Sequence, residues 1–324
     1  MTPGRFMAAL LISLAGANAT AAQGYTYLAG SISDPSEAAV PGAQVAVVDE
    51  ETGFRRAAES RPDGGYLVAQ LRPGVYKVTV RKEGFRTLIR FGLRLEASRP
   101  LRLDFSLPVG SMHETITVEG DASPIQREDA SVAVVLRRDE IERLPLNGRG
   151  LLSLLELAPG TVVTPATHGE AGQFTANGQR PNTHTFAVDG ISANTGVLGG
   201  GLPVQSSGGA LPAMSAFGSL HSVISMEALE EFRVQTSTAA PEFGRLPGAI
   251  VSLITRSGSN RLHGSLAYGF RHEALAANDW FANRRGYGRA PLRLHDFAPS
   301  LGGPLRRDRS FFFLSYQEIG RAHV

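Results

Sequence analysis

RLHGSLAYGFR, residues Arg261–Arg271, alternates with a period of two. In an extended chain Leu262, Gly264, Leu266, Tyr268 and Phe270 share one face, and His263, Ser265, Ala267, Gly269 and Arg271 share the other. One face is largely apolar and the other small or polar, as a strand with lipid on one side and a lumen on the other requires. The same pattern also fits a half-buried strand of an ordinary sandwich, so the surrounding sequence has to separate the two readings.

Just upstream, Ala249–Ile254 is the best apolar run after the N-terminus; it is strand-sized and interrupted by Ser252. No such segment approaches the roughly 20 residues a spanning helix needs, so any crossing of a membrane is expected to use strands. Downstream, SFFFLSYQE follows the basic turn RRDR and reads as a further strand with an aromatic girdle. At the other end, Arg5 precedes an apolar run from Phe6 to about Ala15 and a small-residue stretch, Ala17–Ala22. That is the pattern of a secretory signal peptide, residues 1–22, cleaved after Ala21 or Ala22.

Composition narrows the function classes. With 42% hydrophobic residues in 324, the chain can bury cores in about two or three domains. Its basic residues are almost all arginine, Lys77 and Lys82 being the two lysines, and no basic cluster interleaves with aromatics. Nucleic acid is therefore not an expected partner. Cysteine is absent, which removes disulfides, thiolate metal sites and a cysteine nucleophile. His113, His168, His184, His221, His263, His272 and His295 are scattered singly, although His263 and His272 could approach across a strand turn. HExxH, G-x-S-x-G, P-loop and dinucleotide fingerprints are all missing. Neither catalytic residues nor a cofactor or metal site is expected. Asp189 in VDG reads as a turn former with Gly190 supplying positive φ.

Residues 23–109 read as a β-sandwich of short period-2 strands separated by DPS, PG, ETG, PDGG and RPG turns. HETITVEG follows within a linker, residues 110–123. Ile116 and Val118 point one way, Thr115 and Thr117 the other, and no hairpin partner follows in sequence. A mixed α/β region comes next. Asp139 opens one helix-like stretch, Leu151–Leu157 forms a second, and Met226–Glu231 forms a third. Gln173–Val188 reads as two strands around an RPN turn, and Ile191–Ser222 as a long Gly/Ser/Ala-rich loop.

GSISDPSEAAVPGAQVAVVDEETG and DGGYLVAQLRPGVYKVTVRKEGF resemble the carboxypeptidase regulatory-like domain, a transthyretin-like sandwich without peptidase chemistry. LPLNGRGLLSLLELAPGTV (Leu144–Val162), NGQRPNTHTFAVDGISANTG (Asn177–Gly196), the run Glu230–Arg284 and HDFAPSLGGPLRRDRSFFFLSYQE (His295–Glu318) resemble, in that order, the N-terminal portion of a TonB-dependent outer-membrane receptor of the Oar-like type. The fold class this implies is mainly β: a transthyretin/Ig-like sandwich, a mixed α/β plug domain over residues 124–257, and the first strands of an incomplete transmembrane barrel over residues 258–324. In that family the plug sits inside a barrel of about 22 strands. The residues from Gly258 onward make only a few strands, so the chain is expected to be a fragment. Ile319–Val324, IGRAHV, is also what one frame of a common sequencing-library adapter encodes.

The resemblance also implies a role for His113, Glu114, Thr115, Ile116, Thr117, Val118, Glu119 and Gly120. This stretch resembles a TonB box, captured by periplasmic TonB, with its ExbB–ExbD complex, through β-strand addition. The alternative is a last sandwich strand or an inert linker. Outer-membrane lipid and an unidentified extracellular ligand are the other implied partners. Arg149, Arg180, Arg233 and Arg245 are candidates for plug-to-barrel ion pairs. Two other functions stay open: a non-transporting surface protein that binds carbohydrate or protein, and a secreted hydrolase with the sandwich as an accessory module.

Overall fold

The computed structural model describes residues 25–97, 99–111, 115–118, 132–146, 152–164, 173–180, 183–193, 224–237 and 247–321. The expected signal peptide and most of the Gly/Ser-rich loop lie outside the described residues.

Short β-branched and aromatic runs between turn residues build the first unit. One sheet has the order β4 (Gly65–Leu71), β1 (Thr26–Ser33), β7 (Leu101–Arg102), with β8 (Phe105–Ser106) continuing beside β1. The other has the order β3 (Arg55–Glu59), β2 (Gln44–Asp49), β5 (Gly74–Arg81), β6 (Thr87–Leu95), β9 (Thr115–Val118). Val45 lies opposite Val80 and Val47 opposite Val78, and all four are fully buried. Each such side chain contributes about 1.5–3 kcal/mol by leaving water. Buried Tyr66 and Tyr76 find acceptors for their hydroxyls in the carbonyls of Leu103, at 2.6 Å, and Arg72, at 2.8 Å.

A second core lies under a five-stranded sheet of order β10 (Val132–Arg137), β15 (Leu229–Ser237), β16 (Ile250–Thr255), β13 (Thr185–Val188), β14 (Ile191–Ser192). Helices α1 (Arg138–Arg143) and α2 (Leu152–Leu155) and the hairpin of β11 (Thr161–Thr164) and β12 (Gln173–Ala176) accompany it. Phe174, Phe186, Phe232, Leu154, Val251 and Leu253 fill the centre. The two strands expected around the RPN turn are not a hairpin: β12 pairs with β11, whereas β13 runs parallel to β16. The helix expected over Met226–Glu231 shrinks to one 3₁₀ turn, Met226–Ala228, and β15 starts at Leu229. Pairing on both sides, with β10 and β16, overrides the helix propensity of MEALEE. Asp189 and Gly190 both have positive φ in the turn from β13 to β14. The Asp189 carboxylate also accepts the Thr255 N–H at 2.8 Å and hydroxyl at 2.7 Å, fixing the end of β16.

Beyond Gly258 the chain forms an antiparallel sheet of β17 (His263–His272), β18 (Arg293–Arg306) and β19 (Ser310–Ser315), with β20 (Glu318–Arg321) continuing beside β18. A loop carrying α3 (Trp280–Arg284) joins β17 to β18, and a tight turn at residues 307–309 joins β18 to β19. Leu266, Tyr268 and Phe270 of β17, Phe297 and Leu301 of β18, and Leu314 of β19 stay exposed on one face. Ser300 and Ala298 on the other face are buried. At the crossing from β16 into this sheet, a Cβ on Gly258 would stand 2.2 Å from the Phe312 carbonyl oxygen and 2.7 Å from that of Gly303. Two residues on, Asn260 ties the sandwich to the β17–β19 sheet. Its N–H donates to the Glu51 carbonyl at 3.0 Å, and its side chain exchanges two 2.8 Å hydrogen bonds with Asp308 of the tight turn.

Candidate functional site

β9 is the centre of the HETITVEG stretch. Thr115, Ile116, Thr117 and Val118 run parallel to β6, opposite Thr87, Leu88, Ile89 and Arg90. Thr115 and Thr117 are exposed and Ile116 is half-buried. The stretch therefore has a strand partner within the chain, as the alternative of a last sandwich strand expects, which corrects the expectation that it would lack one. That partner lies upstream and in parallel orientation, so local alternation could not reveal it. His113, Glu114, Glu119 and Gly120 lie outside the described residues.

Two residues past the other end of β6, Ala97 is gripped by β15. Its N–H donates to both Glu231 carboxylate oxygens, at 3.2 and 3.3 Å, and its carbonyl accepts from Arg233 Nη1 at 3.0 Å. Neighbouring Glu96 pairs with Arg99 and lies 3.8 Å from Arg137. Burial raises the Glu231 carboxyl to about 7, against the opposing pull of the Ala97 N–H, with Glu96 adding to the rise and Arg233 opposing it. Arg233 thus reaches the sandwich at Ala97.

The seam between the second sheet and the β17–β19 wall is built by residues that local reading did not single out. Glu227, with a side chain only 3% exposed, accepts from Arg138 Nη2 at 2.6 Å and from the Ser265 hydroxyl at 2.9 Å. Ser265 meets Ser300 at 2.7 Å, Arg256 Nη1 donates to Ser300 at 3.3 Å, and Ser225 meets Ser315 at 2.9 Å. Arg138 is also held by Glu142 at 2.5 Å, and the Arg256 guanidinium lies over the Phe313 ring. A buried pair surrounded by hydrogen bonds keeps both charges satisfied. The only sequence signal was the small polar face of β17, since the partners lie about 35 to 90 positions apart.

The remaining candidates do not converge. Arg149 and Arg245 are outside the described residues, and the Arg180 carbonyl accepts from Thr183 in the turn before β13. His263 and His272 occupy opposite ends of one strand, with no turn between them to bring them together. Among the described residues no group of three or more His, Asp or Glu side chains is placed to hold a metal. His184 stacks on Phe174 at 4.2 Å and accepts the Ala249 N–H at 2.9 Å. Burial lowers its pKa to about 4, while a hydrogen bond with the Phe174 backbone acts in the opposite direction.

Residues 27–108 match the carboxypeptidase regulatory-like domain family, and residues 254–323 match the outer membrane beta barrel domain family. The chain is 28% identical over 265 residues to the TonB-dependent transporter Oar of Myxococcus xanthus, an alignment that covers 78% of this chain and 23% of Oar. The chain thus spans about a quarter of the length of that relative. Among solved structures, the siderophore receptor PirA from Acinetobacter baumannii gives a TM-score of 0.43 at 18% identity, covering 59% of this chain and 24% of PirA. FpvA of P. aeruginosa gives 0.39 at 15% identity, covering 59% and 21%. The barrel match together with the similarity to the transporter Oar places the chain among outer-membrane proteins. Over most of its length the chain is a homologue of the TonB-dependent transporter Oar, joining a carboxypeptidase regulatory-like domain to an outer-membrane β-barrel domain.

Proposed function

We propose that the chain is the N-terminal part of an energised outer-membrane receptor. Residues 124–257 act as its plug, residues 258–324 start its barrel, and TonB, driven by ExbB–ExbD, engages His113–Gly120. The observation that carries this reading is the Arg138–Glu227–Ser265–Ser300–Arg256 seam. It joins a compact sheet to the polar side of strands whose opposite face is apolar and exposed. A plug seated against a barrel wall needs that division, because polar groups must be satisfied inside and lipid must meet apolar side chains outside. Further strands close the sheet edges that lipid cannot tolerate. The ligand enters from outside, and a pull on the box moves the plug.

Deletion of His113–Gly120 from the full-length receptor tests this. TonB co-purifying with the receptor is expected to fall to background while the barrel still migrates as a folded, heat-modifiable species. Undiminished TonB recovery would sink the assignment.

A further inference from the structure

The two edges of the β3-β2-β5-β6-β9 sheet are unlike. β3, RRAAE, places Arg55, Arg56 and Glu59 along its edge, whereas β9, TITV, has no charged residue within the strand. Charged edge strands discourage the addition of another strand, and an uncharged, β-branched edge invites it. β9 is paired on one side only, with β6, and no described strand lies on its other side. Half-buried Ile116 holds it to the sandwich while Thr115 and Thr117 remain exposed. Its outer row of N–H and C=O groups is thus already extended and aligned.

We propose that the sandwich presents Thr115–Val118 as a preformed edge, and that an extended strand of the periplasmic energy-transducing protein adds to the open side of β9, making a sixth strand. This rests on the reading of His113–Gly120 as the TonB-engaging segment, and says how that segment is offered. A free peptide has to be ordered when it is captured; a strand already docked on β6 does not, so presentation strengthens binding. The docking also gives the partner a connection to the plug. β6 leads from the β9 pairing to Ala97, whose N–H and carbonyl are held by Glu231 and Arg233 of β15. A partner on β9 is therefore linked to the plug sheet through the sandwich as well as through residues 119–131.

The chain has no cysteine, and Ile89 and Thr117 are register partners on neighbouring strands. Adjacent strands lie about 4.8 Å apart, within the Cα separation a disulfide spans. The full-length receptor carrying Ile89→Cys and Thr117→Cys is placed in detergent, oxidised or reduced, and titrated with fluorescently labelled periplasmic domain of TonB. The oxidised form is expected to bind as tightly as the reduced form or up to about tenfold more tightly. A loss of tenfold or more on oxidation, restored by reduction, would mean that β9 has to leave the sandwich first and would overturn presentation. Failure of the cysteines to cross-link would overturn the docked strand itself. Absence of binding in the oxidised, reduced and unsubstituted receptors alike would instead remove the underlying assignment of the segment, and this inference with it.

Discussion

Glu231 and His184 show how single residues in this fold respond to pH in opposite senses. The native Glu231 carboxyl titrates at about 7, against 4.5 for the ordinary group, because burial disfavours its charge. Its contribution to stability is therefore full below about 4.5 and is lost as pH rises through about 7. His184 titrates at about 4 against 6.5, so its contribution is full above 6.5 and is lost as pH falls towards 4. Raising pH from 5 to 8 is expected to loosen the Ala97 contact while leaving the β13–β16 region at least as tight. The protection factor of the Ala97 amide, which takes out the intrinsic rise of exchange with pH, should fall over that range, and Glu231→Gln should flatten the response. An unchanged protection factor at Ala97 across the range would refute the assignment. None of this was legible in the sequence, where Glu231 looked like one of several acids in a helix. Its burial comes from β10 and β16 pairing on either side of it.

Strands that follow strict alternation were readable, and those that depart from it were not. β2 and β5 keep their phase and appear directly in VAVVD and VYKVTV. β6 does not: its pairing with β5 slips between Tyr76 and Val78, and Gly92 takes a φ of +68°. The slip moves apolar residues out of period, so TLIRFGLRL offered no clean pattern even though it is the strand that holds both β9 and the approach to the plug. The step from β16 to β17 was legible as a change of texture, but the closeness of the crossing was not. Gly258→Ala would press a methyl group against the backbone of Phe312 and Gly303, which cannot rotate aside. It is expected to cost about 1–3 kcal/mol, the range for forced overpacking. Limited proteolysis should register this as faster tryptic cleavage at Arg256 and Arg261, and cleavage at the parental rate would argue against it.

At the scale of the whole molecule the order of parts carried more information than any single motif. Exported sandwich, extended segment, mixed sheet and outward-apolar strands could be set out from local patterns, whereas the contacts among them could not. Glu227 reaches Arg138 and Ser265, and Asn260 reaches Glu51 and Asp308, across separations that periodicity does not report. The Asn260 knot puts the sandwich and the 307–309 turn at the same end of the β17–β18 sheet, and so puts the loop bearing Trp280 and Phe281 at the far end. The molecule is therefore polarised: whichever compartment holds the sandwich, the Trp280 loop looks into the opposite one. With the sandwich in the periplasm, a membrane-impermeant maleimide added to intact cells should label Ala282→Cys and spare Asp308→Cys of the full-length receptor; the reverse pattern would invert the assigned sidedness.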